Sequence, residues 1–169
     1  MPIFITFRYS STLRAAKGNQ GMSKRNRASE ELSASSLEGS RLKDVYQIEE
    51  RIAKGGMAWV YRAIHSRLGG QVAVKILFDE HAAEPAISQR FLNEARIQYS
   101  IRHPNVLQVI DIIEESGVFG MVMEWMDGED LKQWLSRRSG PISLISFWKL
   151  MYPILEALQY VHERGTIHR

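Results

Sequence analysis

Ile52-Ala-Lys-Gly-Gly-Met-Ala-Trp-Val-Tyr-Arg-Ala63, then a turn at Leu68-Gly69-Gly70-Gln71, then Val72-Ala-Val-Lys75: this stretch decides the fold. Two short runs rich in apolar and β-branched residues flank a Gly-containing turn, which predicts a hairpin. Gly55-Gly56 opens the first run and lets the backbone approach a ligand closely. Lys75 closes an alternating Val-Ala-Val. A cation at the end of a buried strand is costly unless paired. Glu94, 19 residues on in a helix-like segment, is the best candidate partner. The plainer alternative is a strand-end lysine that reaches solvent.

Outward from the hairpin, Glu84-Pro85 starts a helix, with proline at an early position where its missing N–H costs little. Ile87, Phe91, Glu94 and Gln98 share one face of it. Glu94 on that face invites the strand lysine, although Arg90 four residues earlier could serve instead. His103-Pro104-Asn105 ends the helix, and His103 reads as a turn residue. Val106 to Ile113 and Val118 to Trp125 follow as strands around the turn Glu114 to Gly117. Leu131 to Leu135 is a short helix, and a long helix runs from Ser143 or Ser146 to about His162. Its stripe of Phe147, Leu150, Met151, Ile154, Leu155, Leu158 and Val161 is wide and apolar, and Pro153 should bend it.

The Gly-rich loop, the lysine of Val-Ala-Val-Lys and the helix glutamate occur in the order found in the N-terminal lobe of eukaryotic-type protein kinases, which this chain resembles. The form Gly-Gly-Met-Ala-x-Val-Tyr looks most like the bacterial Ser/Thr kinases. The resemblance runs from about Val45 to Arg169, where Ile167-His168-Arg169 looks like the opening of the His-Arg-Asp catalytic loop, its aspartate absent. It implies an α+β fold. A kinase-like N-lobe of about five antiparallel strands and one helix would precede the first helices of an incomplete helical C-lobe. The expected divisions are a basic disordered tail over 1–43, the N-lobe with its hinge over 44–126, and a partial C-lobe over 127–169.

The resemblance also implies ATP and Mg as cofactors and a protein substrate phosphorylated on Ser or Thr. Lys75 would contact the α- and β-phosphates and pair with Glu94 as the catalytic-site ion pair. Ala53, Lys54, Gly55, Gly56, Met57 and Ala58 would form the phosphate-cradling loop. Where the family shows Gly-x-Gly-x-x-Gly, only the middle glycine, Gly55, is kept, and the added Cβ atoms predict weaker nucleotide binding. A dinucleotide-binding loop would need a helix straight after the glycines, but Trp59 to Ile64 has strand character. Val60 and Ala73 would sandwich adenine, or else simply pack in the core. Met123 would gate the back of the pocket, and Glu124, Trp125 and Met126 would form the hinge. Asp130 would meet the ribose, and it also reads as a helix N-terminal acid. Gln98 stands where relatives place an apolar residue, so the helix is expected to be held more loosely there.

Composition sets the outer limits. The chain has 169 residues, 44% hydrophobic and 24% charged, which suits one soluble globular domain. No cysteine is present, so disulfides and thiolate metal sites are excluded; this is compatible with a cytoplasmic setting. The five histidines show no metal-ligand spacing, so no metal site is assigned to this chain. No apolar run approaches the roughly 18 residues that span a bilayer. Residues 1–29 carry six Lys/Arg and no acid, which leaves sixteen Lys/Arg against nineteen Asp/Glu in the rest. The tail's Ser, Arg, Lys and Gly content predicts disorder. A transit peptide, a mis-assigned start ahead of Met22 and a weakly basic nucleic-acid arm are its alternatives.

The expected catalytic aspartate and the Asp-Phe-Gly metal ligand do not occur in the sequence. The expectation is therefore a kinase by family, present as a truncated fragment that transfers no phosphate. Non-catalytic alternatives are a regulatory or interaction module and a nucleotide-binding, pseudokinase-like fragment that ATP stabilises little. The long helix would be covered by the missing C-lobe or by self-association, since a wide bare apolar face promotes association.

Overall fold

The computed structural model describes residues 33–166. Its centre is an antiparallel sheet of six strands: β1 (Arg41–Leu42), β2 (Tyr46–Lys54), β3 (Ala58–His65), β4 (Gln71–Leu77), β5 (Val109–Glu115) and β6 (Val118–Glu124). The spatial order is β1-β2-β3-β4-β6-β5. The expected antiparallel sheet of about five strands thus gains β1, a two-residue strand too short to show any alternation, and it is not a simple meander, because β6 and not β5 pairs with β4. The quoted hairpin is β3 and β4, paired from Ala58↔Leu77 to Ile64↔Gln71. The turn between β5 and β6 holds Ser116 and Gly117 at φ 50° and 78°. Two consecutive positive φ values match the strands' right-handed twist and favour a tight hairpin.

Strand β4 is buried along almost its whole length, so the sheet is covered on both faces. The two-residue alternation sends Val72, Val74 and Ile76 into one apolar cluster and Ala73 and Leu77 into another. The helices α1 (Asp79–Ala82) and α2 (Pro85–Ser100) follow β4. Pro85 opens α2, and Phe91 and Ala95 join Ala73, Leu77, Met121 and Met123 in the second cluster. Gln98 is fully buried and donates from Nε2 to the Leu107 carbonyl at 3.0 Å. The amide ties α2 to the segment leading into β5, while its Oε1 is buried without a hydrogen-bond partner among the described residues.

The first cluster corrects the expected tail. Residues 33–43 pack onto the sheet, with Ala34, Leu37 and Leu42 buried among Tyr46, Ile48, Tyr61 and Val74. The Tyr61 hydroxyl donates to the Ala34 carbonyl at 2.6 Å, and the Asp79 carboxylate accepts from the Ala34 N–H and the Ser33 hydroxyl. Three apolar residues among serines show no periodicity, so only the sheet face they cover reveals their role. The expected disorder of residues 1–32 lies outside the described residues.

The β1–β2 turn places Lys43 and Asp44 at φ 51° and 52°, a conformation unfavourable for residues with a Cβ. Bonds to β5 hold the turn there. The Lys43 backbone N–H donates to Glu115, its ammonium contacts Asp111 at 2.8 Å, and the Tyr46 hydroxyl donates to Asp111 at 3.0 Å. Burial pushes the Asp111 carboxyl up, but Lys43, the Ile112 N–H and Tyr46 outweigh it and hold it below the usual range. Burial and then the Asp111 charge push the Tyr46 phenol up to about 12. A carboxylate held low stabilises the fold above its unfolded value of about 4, and that contribution is lost as pH falls through the folded value. The chain should therefore lose stability below about pH 4 more steeply than Asp111→Asn. Urea midpoints between pH 5 and 3 check this, and parallel curves would refute it.

Two further helices complete the described residues: α3 (Leu131–Ser136) and α4 (Leu144–His162). Ser143 caps α4 by accepting from the Ser146 N–H, and Pro153 lies inside the helix. Ala157 and Val161 bury against Ile101 and Val106, while Leu144, Ile145, Trp148 and Tyr152 are more than half exposed. His103 accepts from the Asn105 N–H and packs its ring on Tyr160, as a turn residue should.

Candidate functional site

Lys75 lies on the α2 face of the sheet because it alternates with Val74 and Ile76, which face the other way. Its side chain is 8% exposed, and so is that of Glu94 on α2. Burial lowers the lysine's pKa, and the Glu94 charge acts in the opposite direction without fully offsetting it. The ammonium also stands 5.6 Å from the Phe91 ring centroid. Phe91 precedes Glu94 by about one helical turn, so a single face supplies both groups. One Glu94 oxygen, Oε1, is buried without a hydrogen-bond partner among the described residues. Lys75 and Glu94 thus both lie buried between β4 and α2, where the Glu94 charge acts on the ammonium.

The loop between β2 and β3 is closed by the Gly55 N–H donating to the Ala58 carbonyl at 2.8 Å. A Cβ at Gly55 would stand 3.3 Å from that carbonyl, whereas a Cβ at Gly56 would meet nothing within 4 Å. The one glycine shared with the family pattern is thus the one the turn requires. Ala53 pairs with Val60 on the sheet, and Ala58 is 1% exposed. Met57 is exposed, and its carbonyl accepts from the Phe78 N–H, which anchors the loop to the end of β4. Lys54 does not join Lys75. Its ammonium sits 4.8 Å from the Trp59 ring and 5.4 Å from the Phe78 ring. Trp59 packs against the opposite apolar cluster from Val60, so Lys54 is drawn to the far side of the sheet.

Val60, Ala73, Met123 and Met126 meet in the cluster beneath the sheet, and Ala73 pairs directly with Met123. Such a patch can pack a flat apolar ring, and it also serves as core. Glu124 is engaged with the segment before β5: its N–H donates to the Gln108 carbonyl, and its carboxylate accepts from the Gln108 N–H. Its backbone and side chain thus fasten the end of β6 to the segment before β5. Asp130 caps α3, accepting from the Gln133 N–H at 2.7 Å, while the Gln133 side chain accepts from the Asp130 N–H. The capping role explains this carboxylate without any ligand. Sequence reasoning named Phe91 only as an apolar face residue, and its proximity to Lys75 shows only when α2 is docked. The platform of Trp59 and Phe78 under Lys54 has no sequence signal, since Trp59 reads as an ordinary strand residue and Phe78 lies beyond the end of β4.

From Tyr46 to the last residue, 46–169, the chain matches the family described as the protein kinase domain. The chain belongs to the protein kinase family. This kinase chain is 35% identical over 133 residues to the serine/threonine-protein kinase PrkC of Bacillus subtilis, covering 79% of itself and 20% of that protein. It is 36% identical over 136 residues to the serine/threonine-protein kinase PknA of Mycobacterium tuberculosis, covering 78% of itself and 31% of that relative. Among solved structures, the apo form of PpkA-294 superposes with a TM-score of 0.70 at 25% identity, over 81% of this chain and 55% of that one. The PknI kinase domain of Mycobacterium tuberculosis superposes with a TM-score of 0.64 at 27% identity, over 78% and 53%. The kinase chain therefore spans a fifth to a third of the length of these curated relatives and about half of the solved kinase domains.

Proposed function

We propose that this chain carries the nucleotide-positioning half of a Ser/Thr protein kinase, with Lys75 as the phosphate contact and Glu94 as the residue that orients it. The observation that supports this is the buried lysine with a glutamate charge acting on it, on the sheet face below the Gly55 turn. Such a cation gains by meeting an anionic ligand, because one carboxylate does not offset its desolvation. ATP, when bound, supplies the transferable phosphoryl group. Lys75 holds its phosphate charge, and Glu94 keeps the ammonium aimed. Backbone N–H groups of the loop after Gly55, whose own N–H is taken by the Ala58 carbonyl, close over the phosphates, while Val60, Ala73, Met123 and Met126 pack against the base. The residues present fit a nucleotide in this respect. Lys54 belongs on the outer face and takes no phosphate.

Magnesium is not assigned to any residue. No group of three or more His, Asp or Glu suited to a metal occurs among the described residues. No described helix is long and apolar enough to cross a membrane, and the cytoplasm, where ATP and protein hydroxyls meet, is the setting we propose.

An acyl-phosphate derivative of ATP tests the reading, because it transfers its acyl group to an amine held at the phosphates. Mass spectrometry should find Lys75 acylated, with labelling suppressed by millimolar ATP, while exposed Lys132 and Lys149 are acylated slowly and without suppression. Labelling of Lys75 that ignores excess ATP would overturn it.

A further inference from the structure

Residues 33–38 lie on the outer face of the sheet and are held at β2, at β3 and just past β4. The Asp79 carboxylate takes one end: Oδ1 accepts the Ala34 N–H at 2.7 Å, and Oδ2 accepts the Ser33 hydroxyl at 2.6 Å. The buried Tyr61 hydroxyl donates to the Ala34 carbonyl at 2.6 Å. At the other end the Glu38 carboxylate accepts the Arg51 N–H at 3.0 Å. Between the two ends Leu37 is fully buried. Asp79 is the first residue of α1, yet that helix has no side-chain cap. Both oxygens of Asp79 serve the segment 33–38 instead, through bonds strengthened by the carboxylate charge.

The loop between β2 and β3 leans on the residue just before Asp79. The Phe78 N–H donates to the Met57 carbonyl at 3.0 Å, and Trp59 meets the Phe78 ring edge-on at 5.0 Å. The Lys54 ammonium lies 5.4 Å from the Phe78 ring and 4.8 Å from the Trp59 ring. Phe78 and Asp79 share one planar peptide unit, so a movement of Asp79 turns the residue that holds the loop. Trp59 offers a second route, because it packs against the apolar cluster that contains Ala34 and Leu37. The segment 33–38 and the loop thus converge on Trp59 and on the Phe78–Asp79 peptide.

We propose that residues 33–38 are a strap that sets how far the loop between β2 and β3 opens, with Asp79 as the positioning residue between the two. With Ser33 and Ala34 on Asp79, Phe78 is fixed and the Met57 carbonyl stays bound. With the strap lifted, the loop opens more often. The coupling is reciprocal, so a loop held closed also holds the strap down. Its consequence for phosphate binding rests on the reading of this loop as the phosphate cradle. The coupling itself needs no nucleotide, and failure of ATP to protect Lys75 would sink the proposed function and leave the strap standing.

Amide hydrogen exchange of the full 169-residue chain, read by NMR without nucleotide, is the test. The Ser33 side chain bonds only Ser35 and Asp79 among the described residues, so Ser33→Asp sets a second carboxylate against Asp79 without touching the loop. The Ala34, Phe78 and Gly55 N–H groups should then exchange about fivefold faster or more, with the β5–β6 ladder unchanged. Ser33→Thr keeps the hydroxyl donor, and Ser36→Asp adds the same charge at an exposed position; both should match the unsubstituted chain. If Phe78 or Gly55 keeps its rate in Ser33→Asp, or if the β5–β6 ladder accelerates equally, the proposal is overturned, since a segment that only covers the sheet loosens either nothing at the loop or the whole fold alike. A second arm uses the unsubstituted chain and stands even if Ser33→Asp does not fold. As urea is raised below the unfolding midpoint, Ala34, Phe78 and Gly55 should reach one common opening free energy, smaller than that of the β5–β6 ladder. Opening of Ala34 without the other two overturns the coupling.

Discussion

Glu94→Ala is expected to lower the unfolding free energy by about 3–5 kcal/mol, the range seen when one partner of a buried ion pair is removed. Lys75 and Glu94 are each 8% exposed, so water does little to solvate the ammonium that is left behind. Burial already holds the lysine's pKa below its usual value, and Glu94 supplies the opposing charge. Lys75→Met with Glu94→Leu removes both charges and should recover most of the loss, because matched apolar replacements of buried pairs are often neutral or better. Urea denaturation of the two single variants and the double variant measures the coupling. A loss below about 1 kcal/mol in Glu94→Ala would mean that the pair is solvated and that the buried site described above is wrong.

The pH dependence carries its own sign. Lys75 titrates lower in the folded chain than the unfolded value of about 10.4. Between those two values the unfolded chain binds more protons, so stability rises with pH. In Glu94→Ala the folded value falls further and the rising window widens toward neutral pH.

Leu37→Ala is expected to cost about 2–5 kcal/mol, the range for emptying a well-packed leucine site. Leu37 is 0% exposed and belongs to the cluster that covers the outer face of β3 and β4. Leu68→Ala provides the contrast. That leucine is 81% exposed, and its loss should fall within about 0.5 kcal/mol. If Leu37→Ala proves as mild as Leu68→Ala, residues 33–43 do not cover the sheet in solution. Native-state hydrogen exchange should also show faster opening of β2 and β3 in Leu37→Ala, since Tyr61 on β3 loses the packing that surrounds its bond to Ala34. Because β3 also carries Val60, this segment supports the candidate site from the side opposite to it.

Much of the site was legible in the chain because it rests on local rules. The Val-Ala-Val alternation put Lys75 on a defined face of a strand, and the helical period put Phe91, Glu94 and Gln98 on one face of α2. The turn at Ser116-Gly117, the proline at the start of α2 and the histidine turn at 103–105 follow from backbone preferences that act within a few residues. These readings needed no knowledge of what lies across the sheet.

Other features turn on what meets what. Leu37 and Leu42 became core residues only because an uncovered apolar sheet face stood opposite them, and no period within residues 33–43 could announce it. Lys54 lies one residue from Gly55, yet its side chain follows the strand's alternation to the aromatic rings of the outer face. Asp130 is used by its own helix as a cap, a choice settled by whether Gln133 reaches back. Gln98 shows the division most clearly. By residue type it is a polar intruder on an apolar face, expected to loosen α2. The docked Leu107 carbonyl gives its N–H a partner, and a buried amide is costly alone and directional once paired. What the amino-acid order by itself determined was the elements and the faces of their side chains, since φ/ψ preferences and period are local. What only the tertiary structure decided was which polar groups found partners and which apolar ones found cover, since both depend on neighbours distant in the chain.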